Sequence, residues 1–163
     1  DSEVFRMIKV EITEDMIAAA NNKAIEMGKL NNSILNGAGN IAGFIGEQIS
    51  LKVLGGQWNN TYDYDIMVGD KRIDVKTKQT TVTPLPHYEC SIAAFNVKQK
   101  CDAYAFVRVL KDLSTGWFLG VLDKDAYFNA ATFMKKGNID PSNNFTVRAD
   151  CYNLRIDKLG DAI

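Results

Sequence analysis

YDYDIMVGDKRIDVKTK, residues 62–78, is the stretch on which the reading of this chain turns. Two short runs with alternating apolar residues flank Gly69-Asp70, a two-residue hairpin loop with glycine first. Such a loop fixes the register: Val68 opposite Lys71, Ile66 opposite Ile73, Asp65 opposite Asp74. Side chains alternate between faces along a strand. Tyr64, Ile66, Val68, Ile73 and Val75 therefore share an apolar face, and Asp63, Asp65, Asp74 and Lys76 share the other. A four-residue loop keeps this partition but sets Asp65 opposite Lys76. In the first register the Asp65 and Asp74 Cβ atoms stand ~5 Å apart, and like charges directly opposite one another are destabilising. A hard divalent cation held by both carboxylates relieves that repulsion; Mg²⁺ suits such a site, with waters completing its shell. With Lys76 on the same face, the set suits metal-assisted hydrolysis of a phosphodiester, the lysine steadying the developing anion or orienting the nucleophile. The alternative is an exposed polar sheet face on which Lys76 pairs with Asp63 or Asp65.

Upstream, IAGFIGEQISLKVL (41–54) reads as a helix, with Asn40 available as its cap and Gly55-Gly56 as its stop. Ile41, Ile45, Ile49 and Val53 form an i, i+4 stripe, and Phe44, Leu51 and Leu54 cover another flank, so the helix is expected to be buried. Glu47 lies among Gly43, Phe44, Leu51 and Leu54, where an unpaired carboxylate is costly. It is either a third acid aimed at the hairpin's carboxylates or a partly exposed residue in local contact with Gln48 or Lys52.

The rest of the chain is consistent with one mixed domain. At 163 residues it is long enough for a proper core, and 46% apolar and 24% charged residues are ordinary for a globular protein. Residues 3–12 read as a strand or arm. Thr13 caps a helix ending near Gly28, and 29–39 reads as a loop. Strands are expected over 88–95, 103–110, 116–122 and 146–156, with a helix over 124–134. The order predicts an α/β (α+β) fold over residues 1–163, with the motif core at about 40–122 and a further helix and strand in 123–163.

The net charge of −1 leaves the bulk balance uninformative about nucleic acid. Locally, Lys71, Arg72, Lys76, Lys78, Lys98 and Lys100 outnumber Asp74 and Glu89, and the only histidine, His87, falls in the same window. Lys78, His87, Lys98 and Lys100 are candidate DNA-phosphate contacts; a solvated face is the alternative. Three scattered cysteines give no zinc spacing and suit a reducing, cytoplasmic setting, the host cytoplasm if the chain is phage-encoded. No apolar run approaches a membrane span and the N-terminus does not read as a signal peptide. GAGNIAG (37–43) lacks the lysine and preceding strand of a phosphate loop, so no nucleotide cofactor is expected.

Glu47 on a helix, Asp65 on a strand, a hairpin, then Asp74-Val75-Lys76 on the next strand resembles the PD-(D/E)xK nuclease superfamily. That superfamily includes restriction endonucleases and archaeal-type Holliday junction resolvases. The resemblance covers about residues 40–80, with the strands from 88 to 121 fitting more loosely, and Tyr64 stands where many members carry proline. It implies a restriction-endonuclease-like mixed sheet flanked by helices and a Mg²⁺-dependent DNA endonuclease in which Mn²⁺ substitutes. By position, Asp65 and Asp74 would be metal ligands together with the Val75 carbonyl and Glu47. Lys76 would be the catalytic lysine, and Gln79 a further catalytic residue. DNA is the implied partner, and a homodimer would serve double-strand cutting. The rivals are a nucleic-acid-binding protein that keeps the fold without catalysis, and a protein-interaction module such as an inhibitor or adaptor.

Overall fold

The computed structural model describes residues 7–30 and 41–160. The expected loop at 29–39 and the Asn40 cap fall largely outside the described residues. The fold is mixed α+β. A six-stranded sheet has the order β1-β7-β6-β4-β3-β2 and a second sheet the order β5-β11-β8. The strands of the first are β1 (Ile8–Glu11), β2 (Gln57–Trp58), β3 (Ile66–Val68), β4 (Lys71–Thr80), β6 (Ala103–Leu110) and β7 (Thr115–Asp123). The second comprises β5 (Glu89–Ala93), β8 (Thr132–Met134) and β11 (Cys151–Arg155), and β9 (Ile139–Asp140) pairs with β10 (Phe145–Thr146). The helices are α1 (Glu14–Leu30), α2 (Ile41–Leu54) and α3 (Lys124–Ala130). None of the described helices is long and apolar enough to cross a membrane.

Both faces of the large sheet are covered. Helices α1 and α2 pack on one, where Met16, Ala20, Phe44, Ile45 and Ile49 meet Ile66, Ile73, Val75, Ala105 and Val107. On the other, Tyr104, Phe106 and Leu119 meet Ile92 of β5, Tyr127 of α3 and Leu154 of β11. This is why AYAFVRVL carries no polar alternation: all of β6 except Leu110 is buried.

The hairpin forms in the register of the two-residue loop, Val68 opposite Lys71 and Ile66 opposite Ile73, with Gly69 at φ +60°. Regular pairing stops at Ile66. The Asp65 amide still donates to the Ile73 carbonyl, but the Val75 amide is taken by the Asp65 carboxylate, at 2.8 Å. The expected opposed Asp65–Asp74 pair is thus replaced by an irregular step. Tyr64 also departs from expectation. It packs with the second core, opposite Ile66 and Ile73, because residues 61–64 close a separate turn in which Thr61 Oγ1 donates to the Tyr64 carbonyl. Period-two reasoning does not hold beyond the paired strand.

Two further expectations are corrected. Residues 124–134 divide into α3 and β8, with Ala131 extended at φ −74°, ψ 154°. The strand expected over 146–156 is divided between β10, β11 and a 3₁₀ turn at Ile156–Lys158. The Thr13 cap is observed: its Oγ1 accepts the Met16 amide at 3.2 Å.

Helix α2 lies close over β4 at Gly46. A Cβ there would run into the Thr77 side chain, which is short and β-branched and has no alternative path. Gly46→Ala is expected to push α2 off the sheet and destabilise the protein by about 1–3 kcal/mol. The readout is a lower urea midpoint at unchanged slope; an unchanged midpoint would mean that the helix does not need this approach.

Candidate functional site

β3 begins only at Ile66, so the edge of β4 beyond Ile73 has no strand beside it on that side. Side chains from both faces of the sheet can meet at such an edge. Asp65, at the entry to β3, reaches across to the Val75 amide. Asp74 and Lys76 project from β4 toward the second core, and Glu47 approaches from α2 on the opposite side. The three acids converge closely enough that the charges of Glu47 and Asp74 raise the Asp65 pKa and the charge of Asp74 raises that of Glu47.

Glu47 is 7% exposed. Its Oε1 accepts the Trp58 indole N–H at 2.6 Å and the Asn60 amide at 2.5 Å. Burial holds its pKa above the ordinary glutamate value against those two donors. For Asp65, burial first, then the charges of Glu47 and Asp74, push the carboxyl up to about 9, with only the Val75 amide opposing. Without a further positive charge the trio is held together by a proton.

Lys76 supplies part of that charge. Its Nζ is 2.8 Å from Asp74 Oδ2, but its direction leaves that buried oxygen without a directed hydrogen bond. The ammonium also donates to Gln99 Oε1 at 3.3 Å and lies 5.8 Å from the Tyr104 ring centre. Among the described residues, the buried side-chain atoms lacking any partner are Asn60 Oδ1, Asp74 Oδ2, Thr77 Oγ1 and Tyr104 Oη. All four surround this site. Asn60 holds Glu47, Thr77 lies two residues past Val75, and Tyr104 pairs in register with Asp74. Native proteins leave few such groups, and their concentration in one place makes this the candidate site.

The structure thus brings together Glu47, Asp65, Asp74, Val75 and Lys76. Gln79 is not among them. It sits exposed near the end of β4, with the parity of Val75 and Thr77 and so on the face away from Lys76. The glutamine that meets Lys76 is Gln99, held in place because Lys124 Nζ donates to the main-chain carbonyls of Val97 and Gln99. Trp58 and Asn60 also escaped the sequence reading. The one available signal was their position directly after the Gly55-Gly56 stop of the helix that carries Glu47.

The cationic candidates divide in two. Lys98 and Lys100 are exposed on either side of Gln99, and the Lys100 amide donates to Asp63 Oδ1 at 3.0 Å. Lys78 and His87 line a cleft of about 580 Å³ between the two sheets, together with Arg108 and Arg148. A smaller hollow lined by Lys76, Lys78 and Arg108 adjoins that cleft, sharing Lys78 and Arg108 with it. Comparison of the chain with protein-family models and with curated proteins finds no match.

Proposed function

We propose that this chain is a Mg²⁺-dependent DNA endonuclease with a restriction-endonuclease-like core. The observation that carries the reading is the convergence of Glu47, Asp65, Asp74 and Lys76 at the open edge of β4. It is supported by the motif order in the sequence and by the sheet flanked by helices.

The residues present fit a hard cation. Among the described residues, no group of three or more His, Cys, Asp or Glu side chains is spaced to hold a metal alone. Mg²⁺ does not ask for that; it takes one or two carboxylates and keeps several waters. The Asp65 and Asp74 carboxylates, with the Val75 carbonyl directly after Asp74 in sequence, are the oxygens that would hold it, and Asp74 Oδ2 is buried without a directed hydrogen bond. When bound, the ion supplies a nucleophile at neutral pH and neutralises charge on the phosphoryl oxygens.

The chain's own groups do the remainder. Lys76, in front of Asp74, stabilises charge that develops on the phosphoryl oxygens. Gln99 limits the directions the lysine can take. Glu47 lies beside Asp65 and keeps its proton affinity high, and is itself fixed by Trp58 and Asn60. Lys78, His87, Lys98 and Lys100 lie on either side of the carboxylates and would follow the phosphate backbone. The three cysteines are free, which suits a DNA substrate in a reducing cytoplasm. Pairing of two chains about a two-fold axis would place one such site on each strand of a duplex.

The test is incubation with plasmid, single-stranded and branched DNA in Mg²⁺, Mn²⁺ or chelator, with Asp74→Ala and Lys76→Ala alongside. Metal-dependent cleavage lost in both variants supports the nuclease. Binding without cleavage on every substrate points to a nucleic-acid-binding module, and no binding to a protein-interaction module.

A further inference from the structure

The cleft between the two sheets presents the inverse of the carboxylate problem. In the parallel pairing of β4 with β6, Lys78 stands directly beside Arg108. Like charges in that relation repel. Arg108 is 6% exposed, and among the described residues it makes one hydrogen bond, from Nη2 to the Glu89 carbonyl at 2.8 Å. Neither Lys78 nor Arg108 forms a salt bridge with a described residue. No described carboxylate meets this guanidinium, and its remaining donors, which are not closed off from solvent, open onto the cleft, where they suit phosphate oxygens. Two acids, Glu89 and Asp140, line the same cleft, but Glu89 holds its proton more tightly than usual through burial and its contact with Asp140. Asp140 in turn is engaged by the Ser142 amide and hydroxyl.

The walls suit a base. Tyr88 lies over the Arg108 guanidinium at 5.4 Å, and at the mouth Arg148 lies over Phe145 at 5.6 Å. Phe145 is 49% exposed, so much of its ring is open beside the Arg148 guanidinium. The cleft volume is that of a small-molecule site. Lys76 and Lys78 point the same way from β4, so the cation pair begins ~6.6 Å along the strand from the catalytic lysine.

We propose that this cleft binds one unpaired nucleotide, its phosphate on Arg108 and Lys78 and its base against Phe145, adjoining the phosphate at Lys76. The inference rests on the nuclease reading for its orientation but not for its binding, and it specifies a DNA strand with an unstacked nucleotide as the substrate class. A free nucleoside monophosphate carries the same chemistry, so both sources are tested.

The experiment is fluorescence anisotropy in chelator, where cleavage cannot occur, with a labelled 5′-phosphorylated single-stranded pentanucleotide. Competitors are a deoxynucleoside monophosphate and a blunt duplex. The variants are Phe145→Ala and Lys78→Ala, both at exposed positions, with Arg108→Lys as a third and thermal melts as the folding check. The pentanucleotide should bind, the duplex should compete poorly, and each exposed variant should weaken binding on the order of tenfold. Competition by the monophosphate at equal or lower concentration assigns the cleft to the free nucleotide and overturns the strand-binding proposal. So does absence of binding, preference for the duplex, or unchanged affinity in both exposed variants. Binding that behaves as expected while no substrate is cut in Mg²⁺ keeps the cleft and sinks the nuclease; cleavage with unchanged binding in the variants does the reverse.

Discussion

Asp74→Asn is expected to abolish Mg²⁺-dependent cleavage, by on the order of 10³-fold or more, because losing the cation's position removes several kcal/mol of transition-state stabilisation. Lys76→Ala should cost about 10²–10³-fold, the loss typical of one positioned group facing developing charge. The two should fail differently. Asp74→Asn removes one of the three converging carboxyl groups and loses metal affinity. Lys76→Ala leaves the carboxylates in place and should retain metal binding. Rates of supercoiled-plasmid relaxation under single-turnover conditions, with Mn²⁺ titrations of each variant, separate these effects. Retained cleavage in Asp74→Asn would remove Asp74 from the chemistry. Lost Mn²⁺ binding in Lys76→Ala would mean that the lysine shapes the site rather than acting on substrate.

The second large effect is on stability. The Asp65 carboxyl, raised from 3.8 to about 9 by burial and by Glu47 and Asp74, holds in the folded protein a proton that the unfolded chain releases. A raised acid stabilises the fold fully below the unfolded value and loses that contribution as pH rises through the folded one. Metal-free protein should therefore lose stability between about pH 4 and pH 9, with a slope of up to about 1.4 kcal/mol per pH unit from this group. Glu47, also raised, adds in the same direction. Asp65→Asn keeps an acceptor for the Val75 amide and carries no proton to lose, so it should flatten the slope and be the more stable protein at pH 8 in chelator. Mg²⁺ should reverse the trend for the native chain and not for Asp65→Asn. Urea midpoints across this range, with and without chelator, decide it; a flat or rising profile for the native chain would show that the acids are not crowded.

The parts of this arrangement that were legible in the sequence are those set by local rules. Gly69-Asp70 and the alternation around it fixed the hairpin register. The apolar surround of Glu47 showed that its helix is buried, which made its carboxylate an anomaly. What was not legible depends on pairing over long distances. Nothing local says that β3 begins only at Ile66, yet that late start opens the edge where Asp65 can turn to the Val75 amide. The parallel pairing of β4 with β6 puts Lys78 beside Arg108 across 30 positions of chain, and no periodicity reports it. Gln79 matches the superfamily's motif by position, but strand alternation turns it away, and Gln99 arrives instead from the end of a 3₁₀ turn at Ala94–Lys98. Tyr64 and the 124–134 helix differ from expectation for a shared reason: the backbone leaves the element before the expected stretch ends.

The central claim is that Asp65 and Asp74, with Glu47 beside them, form a site that binds a cation in place of a proton. Calorimetric titration of Mn²⁺ at pH 7, repeated in two buffers of different ionisation enthalpy, tests it most directly, because metal binding to protonated ligands must release protons. The expected result is saturable binding whose apparent heat differs between buffers by the heat of the released protons, and which disappears in Asp65→Asn and Asp74→Asn. Buffer-independent heats, or Mn²⁺ binding that survives both substitutions, would contradict it.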